Sequence, residues 1–322
     1  MCNILKKATS LHTLNLYTDF DVGQGIWQAI SQSQSLDHLD IRALSAQFHA
    51  PVVNKAIFSS LVVLCIETSR LTALITAFKS STFPYIQEIK CIINTSKQTN
   101  HLIKAVADAC TANTLRKFHL KSVGDWRSVH EREGLNGAGS DVLRHLFRMR
   151  SMRELSLDVG WMWTLGDKFI QGLAQAWPNL TTLWLDPLGI WLQPHRITLG
   201  GLQALAVYCP HLIRLGIVLD ASNLDFPSFP QPIGQRSMLY ELSVGPSQIV
   251  SPGIVAGFLS ETFPCLASIF LYEYDWDVTP LDPWYVEQWR YADRILKDMS
   301  MRRMVRGADV DTLAVAVQNT HL

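Results

Sequence analysis

Short runs that alternate apolar and polar residues recur along the whole chain. Each fits the template LxxLxL, and its last two apolar residues point the same way because side chains on a strand alternate between two faces. Ten runs fit, beginning at positions 11, 36, 61, 86, 115, 152, 180, 212, 239 and 266, with steps of 25 to 37 residues. Since 48% of the residues are apolar, one match means little. The regular spacing predicts a repeat with one strand per unit.

Stretches with helical spacing lie between several of the predicted strands. Thr198 precedes LGGLQALAVY, Ser140 and Asp141 precede VLRHLF, and Ser251 with Pro252 opens GIVAGFLSETF. Ser, Thr and Asp are favoured caps of helix starts, and Pro is favoured in the first turn. Each unit is therefore strand, loop, helix and loop.

Such units bury their apolar faces only by stacking, and helices wider than strands force the stack to curve. The pattern predicts an α/β leucine-rich-repeat solenoid, a horseshoe whose parallel concave sheet of about ten strands is backed by helices on the convex side. We expect a solenoid of about ten degenerate repeats over residues 1–282. Helical spacing after Pro283 predicts a capping helix and tail over residues 283–322. In the core, Leu155, Leu157, Leu183 and Leu185 are expected to be almost fully buried.

Composition and charge narrow the classes of function. Lys plus Arg numbers 28 and Asp plus Glu numbers 28, so no excess of positive charge predicts nucleic-acid binding. Six cysteines are scattered without a CxxC pair, which favours buried thiols in a reducing compartment over a zinc site. We find no segment typical of a signal peptide and no apolar run of about 18 residues. We expect no membrane contact and a cytoplasmic or nuclear location.

Four strand lead-ins share an unusual pattern, in which an aromatic residue or Cys precedes Pro and then an aliphatic residue: FPYI, WPNL, CPHL and FPCL. With ITLGGLQALAVYCPHLIRLGI, residues 197–217, they resemble the leucine-rich-repeat region of fungal F-box proteins. The resemblance covers roughly residues 1–275 and concerns the style of the repeats. It implies a module that recognises the substrate of an F-box-type ubiquitin ligase.

The chain departs from the usual repeat in two ways. The common leucine-rich repeat carries Asn three residues after the last strand aliphatic, where its amide binds the turn. Here only Asn94 matches, and Gly160, Leu188 or Ser247 stand at other such positions. No F-box is found, and the first strand begins at Leu11, so we expect contact with the ligase adaptor only if an F-box lies upstream.

Charged and aromatic residues on the predicted strands are the candidates for binding a protein partner. A basic group and an acidic group are expected side by side on the concave face, where complementary charge would steer a partner; solvated charge is the simpler interpretation. Exposed aromatic residues dominate binding hot spots. The candidate partner-binding residues are Lys90, Lys117, His119, Lys121, Glu154, Asp158, Trp184, Asp186, Tyr272 and Trp276.

No motif for catalysis occurs in the sequence. We find no GxSxG, no HExxH, no calcium loop and no dinucleotide fingerprint. We therefore nominate no catalytic, cofactor-binding or metal-ligating residue, and we expect a binding protein that needs no cofactor. The alternatives to an F-box-type recognition module are a general leucine-rich scaffold and a leucine-rich regulator of small GTPases. The last would need a positioned Asn or Arg on a strand-end loop.

Overall fold

A computed structural model describes most of the chain. The described residues are 10–17, 24–43, 55–94, 98–123, 140–161, 163–187, 196–224, 237–271 and 283–319. The polar insertion that the sequence places between residues 123 and 140 falls almost entirely outside these ranges.

Fourteen strands lie in the described ranges, and ten of them form one sheet. The sheet strands are Thr13–Tyr17 (β1), His38–Ala43 (β2), Val63–Thr68 (β4), Glu88–Ile93 (β6), Lys117–Ser122 (β7), Glu154–Asp158 (β8), Thr182–Leu185 (β9), Arg214–Gly216 (β10), Glu241–Ser243 (β12) and Ser268–Phe270 (β14). Neighbours in the sheet follow their order in the chain, and every pair is parallel. The predicted single parallel sheet is confirmed, and the chain is a leucine-rich-repeat solenoid.

The strands pair in register, so the apolar residues of successive repeats stack on one another. Leu155 pairs with Leu183 and Leu157 with Leu185. All four side chains are completely buried, as predicted. Burying a leucine contributes roughly 1.5–3 kcal/mol, and the repetition of such pairs along the sheet forms one continuous core.

Helices lie between the strands along the chain. They are Gln24–Ser31 (α1), Leu71–Lys79 (α2), Thr99–Ala109 (α3), Ser140–Arg144 (α4), Asp167–Ala176 (α5), Leu199–Tyr208 (α6), Pro252–Thr262 (α7) and Pro283–Asn319 (α8). The capping signal at Thr198 is confirmed, because its hydroxyl oxygen accepts a hydrogen bond from the amide of Gly200 at 3.1 Å. Successive helices pack on each other, as α2 does on α3 and α5 on α6.

The aromatic or Cys residue of each lead-in is buried in the core. Phe83, Trp177, Cys209 and Phe263 are all 0% exposed. Proline disfavours helical backbone at the residue before it, and three of the four residues directly follow a helix. The motif behind the resemblance to F-box proteins thus has a structural role in stopping the helix and packing the core.

A second set of short parallel strands also joins repeats. The sequence pattern did not predict these strands. The strands concerned are only two residues long: Ala56–Ile57 (β3), Ser81–Thr82 (β5), Asp220–Ala221 (β11) and Gln248–Ile249 (β13). β3 pairs with β5 and β11 with β13. Two residues are too few to show the alternation by which a strand is recognised in sequence.

The final helix, α8, covers the last strand of the sheet. The amide of Ile269 in β14 donates a hydrogen bond to Asp293 Oδ1 at 2.8 Å, and Trp289 is buried. A backbone donor at the sheet edge is thereby satisfied by a side chain of the helix. The division of the chain into residues 1–282 and 283–322 stays a prediction.

Candidate functional site

Side chains that point away from the core form an open surface, here called the sheet face, and in-register pairing arranges them in rows across the sheet. The first row contains Glu88, Lys117, Glu154, Thr182 and Arg214. The central row contains Asp40, Cys65, Lys90, His119, Ser156, Trp184 and Gly216. The third row contains Arg42, Glu67, Ile92, Lys121 and Asp158. Seven of the ten residues predicted to bind a partner lie in these rows.

Ion pairs between adjacent strands join the predicted basic and acidic groups in the first and third rows. Lys117 Nζ lies 3.1 Å from Glu154 Oε1 and 3.9 Å from Glu88 Oε2. Lys121 Nζ lies 3.7 Å from Asp158 Oδ2. The two groups therefore neutralise each other locally. Partly exposed pairs of this kind contribute about 0–1 kcal/mol to stability. They therefore matter more for the local charge of the sheet face than for the stability of the fold.

His119 lies in the central row beside these pairs. Its Nε2 is 3.6 Å from Glu154 Oε2. Burial lowers the pKa of His119, and this effect outweighs the opposing attraction of Glu154 and Glu88 for the charged form. A lowered pKa favours the neutral ring near pH 7, which can both donate and accept a hydrogen bond.

Lys90 differs from the other sheet-face lysines. Its side chain is exposed, and within the described ranges no carboxylate lies within 4.0 Å of its ammonium. It borders a hollow of about 60 Å³, lined also by Asp40, Arg42, Cys65 and Glu67 among others. Drug-sized ligands fill roughly 300–1,000 Å³, so this hollow suits the tip of a side chain.

Trp184 forms an aromatic platform on the sheet face. It is half-buried and pairs across the sheet with Gly216 of β10. A Cβ atom added to Gly216 would lie 2.5 Å from the indole ring, so the absence of a side chain at Gly216 is what allows the ring to lie there. Ser156 borders the platform on the other side.

The prediction for Asp186 is wrong, because this residue is not on the sheet face. It directly follows the last strand residue of β9, has a φ of 47°, and is 0% exposed. Its Oδ2 accepts hydrogen bonds from the amides of Gly160 at 2.6 Å and Trp161 at 3.2 Å, and from Trp163 Nε1 at 3.4 Å. Asp186 therefore clamps the turn that follows β8 in the preceding repeat.

Burial, together with a smaller effect of the charge of Asp158, raises the pKa of Asp186 to about 7, although hydrogen bonds from Gly160 and Trp163 act to lower it. The sequence contained a signal for this role. Gly160 stands where the common repeat has Asn, so it has no side chain to bind the turn amides. Ser247 acts comparably in a later repeat, where its hydroxyl oxygen accepts from the amide of Leu219 at 2.8 Å.

Two aromatic candidates remain besides Trp184, and two tryptophans that were not candidates contact Asp186. Tyr272 and Trp276 lie outside the described residues, so their assignment stays a prediction. Trp161 and Trp163 are buried, with ring centroids 5.0 Å apart. Trp161 Nε1 also donates to Thr99 Oγ1 at 2.5 Å, which ties the turn after β8 to helix α3.

Neither a metal site nor a membrane-spanning helix is found in the described ranges. These residues contain no cluster of three or more His, Cys, Asp or Glu suited to a metal ion. No described helix is both long and apolar enough to cross a membrane.

Comparisons with known proteins find structural likenesses but no sequence match. The sequence matches no protein-family profile and no curated protein at a significant level. Among solved structures, an internalin (inlF) from Listeria monocytogenes is similar over 84% of this chain and 64% of that chain, with 11% identity and a TM-score of 0.42. The chain therefore spans less than two thirds of that internalin. Structural similarity at this TM-score gives no information about function. The assignment as a leucine-rich-repeat solenoid is based on the parallel sheet of this chain.

Proposed function

We propose that this protein is an interaction module whose sheet face binds another protein. The observation that carries the proposal is the surface between β6 and β9. There Lys90, which has no ion pair within the described ranges, and the Trp184 platform lie in one row between two rows of ion-paired side chains. Aromatic residues at the centre of a polar surface are typical binding hot spots. The small hollow beside Lys90 favours a side chain of a partner over a small molecule.

We further propose that the bound protein is the substrate of an F-box-type ubiquitin ligase, in the cytoplasm or nucleus. Support comes from the style of the repeats, with degenerate Asn positions and lead-ins such as CPHL at residues 209–212. The ubiquitin step rests on that resemblance alone. Binding of the ligase adaptor belongs to an F-box and is not assigned to residues 1–322.

Site-specific photo-crosslinking tests the binding proposal. A photoreactive phenylalanine is placed at Ser156, in the centre of the sheet face, and in a matched variant at Lys104, which is exposed on α3. We expect a discrete crosslinked protein from position 156 in cells and none from position 104. Equal crosslinking from both positions, or none from position 156, would contradict binding on the sheet face.

A degradation assay tests the ubiquitin step separately. The protein crosslinked at position 156 should persist longer when this chain is depleted, and inhibition of cullin activation should have the same effect. A crosslinked partner whose lifetime responds to neither treatment would leave a general leucine-rich scaffold as the function.

A further inference from the structure

The central row of the sheet face differs from its two neighbours in what it offers a ligand. In the first and third rows, Lys117 and Lys121 are within 4.0 Å of carboxylates. In the central row, Lys90 is exposed and no carboxylate of the described residues lies within that distance. Neighbouring acids thus compensate Lys117 and Lys121, whereas Lys90 in the central row keeps a positive charge that no acid among the described residues approaches within 4.0 Å.

Three acidic side chains on the strands around Lys90 have basic partners of their own. Asp40 and Glu67 lie 3.6 Å and 3.8 Å from the guanidinium of Arg42. Glu88 lies 3.9 Å from Lys117 Nζ. A carboxylate of a ligand could therefore bind Lys90 without displacing any acid of the described residues from within 4.0 Å of it.

The other end of the same row is apolar. The ring of Trp184 lies over Gly216, and the residue is only partly buried. Arg214 is exposed on the neighbouring strand, and its charge disfavours a second cation there. An aliphatic or aromatic side chain is the group that this platform accommodates best.

Two polar side chains stand between the two ends. Lys90 pairs with His119, His119 with Ser156, and Ser156 with Trp184, on four successive strands. Both intervening side chains are partly exposed. A hydroxyl and an imidazole can donate to and accept from the peptide groups of a chain that crosses the strands.

The distance between Lys90 and Trp184 determines how far apart the two contacting side chains of a ligand must be. Three steps between neighbouring strands separate Lys90 from Trp184, or roughly 14 Å at about 4.8 Å per step. An extended peptide advances about 3.4 Å per residue, so four residues cover the same distance.

We propose that the central row binds an extended segment of the partner protein that carries an acidic residue four positions from an aliphatic or aromatic residue. The acid contacts Lys90, the apolar side chain lies on Trp184, and the peptide backbone between them passes His119 and Ser156. This inference rests on the proposed function and specifies the chemistry of the partner.

Selection from a library of random linear nine-residue peptides on the whole chain tests the inference. We expect the recovered peptides to be enriched in an acid and an apolar residue at this spacing. Their affinity should fall about tenfold or more for Lys90→Glu and for Trp184→Ala, as for hot-spot residues. Gly216→Ala should also weaken binding, because the added methyl group displaces the indole without removing it.

Matched variants and a charge exchange make the test specific. Lys104→Glu on α3 and Trp284→Ala on α8 change the same residue types at exposed positions away from the sheet face, and affinity should stay within about twofold. Peptides whose acid is replaced by Lys should bind Lys90→Glu better than they bind the unaltered chain. This reversal is expected only if the two side chains are in contact.

Three results would overturn the inference: no peptide recovered above background, recovered peptides without the paired acid and apolar residue, or affinity unchanged by Lys90→Glu. Crosslinking from position 156 is independent of the peptide motif. A partner crosslinked there, together with failure of the selection, would reject this ligand and leave sheet-face binding intact.

Discussion

Replacement of Asp186 by Asn tests whether one buried carboxyl group makes the protein less stable as the pH rises. Burial, aided by the charge of Asp158, raises the pKa of Asp186 from 3.8 to about 7 in the folded protein. The folded state therefore holds this proton more tightly than the unfolded state does. The resulting stabilisation is complete below about pH 4 and is lost as the pH rises to about 7 and beyond.

The size of the effect follows from the shift. One pKa unit corresponds to about 1.36 kcal/mol. Between about pH 5.5 and pH 8.5 the free energy of unfolding should fall by about 2 kcal/mol. The loss corresponds to the roughly 1.5 pH units that separate pH 5.5 from the folded pKa of about 7. Asn has the same shape, carries no charge, and tolerates a positive φ such as the 47° of Asp186. Its amide oxygen can still accept from Gly160.

Guanidinium chloride unfolding, followed by far-ultraviolet circular dichroism at several pH values, measures the effect. Between about pH 5.5 and pH 8.5, the free energy of unfolding should fall by about 2 kcal/mol more in the unaltered chain than in Asp186→Asn. At the higher pH the variant should therefore be the more stable protein. Asp298→Asn, an exposed acid on α8, is the control and should leave the pH dependence unchanged. Identical pH dependence in the unaltered chain and Asp186→Asn would refute the reasoning.

Four further substitutions test the core, the end of the sheet and the charged surface. Leu185→Ala should lower the free energy of unfolding by about 2–5 kcal/mol, because it empties a fully buried position; a loss below about 0.5 kcal/mol, typical of surface sites, would contradict the core assignment. Asp293→Ala should cost about 1–3 kcal/mol, since the Ile269 amide loses its acceptor. Lys297→Ala removes only the ion pair to Asp293 and should cost less than about 0.5 kcal/mol; equal losses in the two variants would show that the hydrogen bond contributes nothing. Lys117→Ala should change stability by less than about 1 kcal/mol, and a larger loss in the same unfolding assay would mean that its ion pairs support the fold.

The sequence determined the sheet because alternation along each strand is a local property. Leu155 and Leu157 point the same way whatever lies around them, and the repeat spacing places their counterparts Leu183 and Leu185 in the next strand. Helix starts were equally local, as Thr198 illustrates, since a cap bonds to an amide only two residues away. Strands of two residues, such as β3, are too short for this kind of pattern.

Only the tertiary structure decided which residues the predicted sheet-face side chains contact. Asp186 belongs to the turn of the preceding repeat, because the amides that bind its carboxylate lie 25 and 26 residues earlier in the chain. The pairing of Lys117 with Glu154 and the position of Trp184 over Gly216 likewise depend on the exact residue that neighbouring strands bring opposite each other. Sequence periodicity predicts which face a side chain occupies, whereas the register and the length of the turns decide what it touches there.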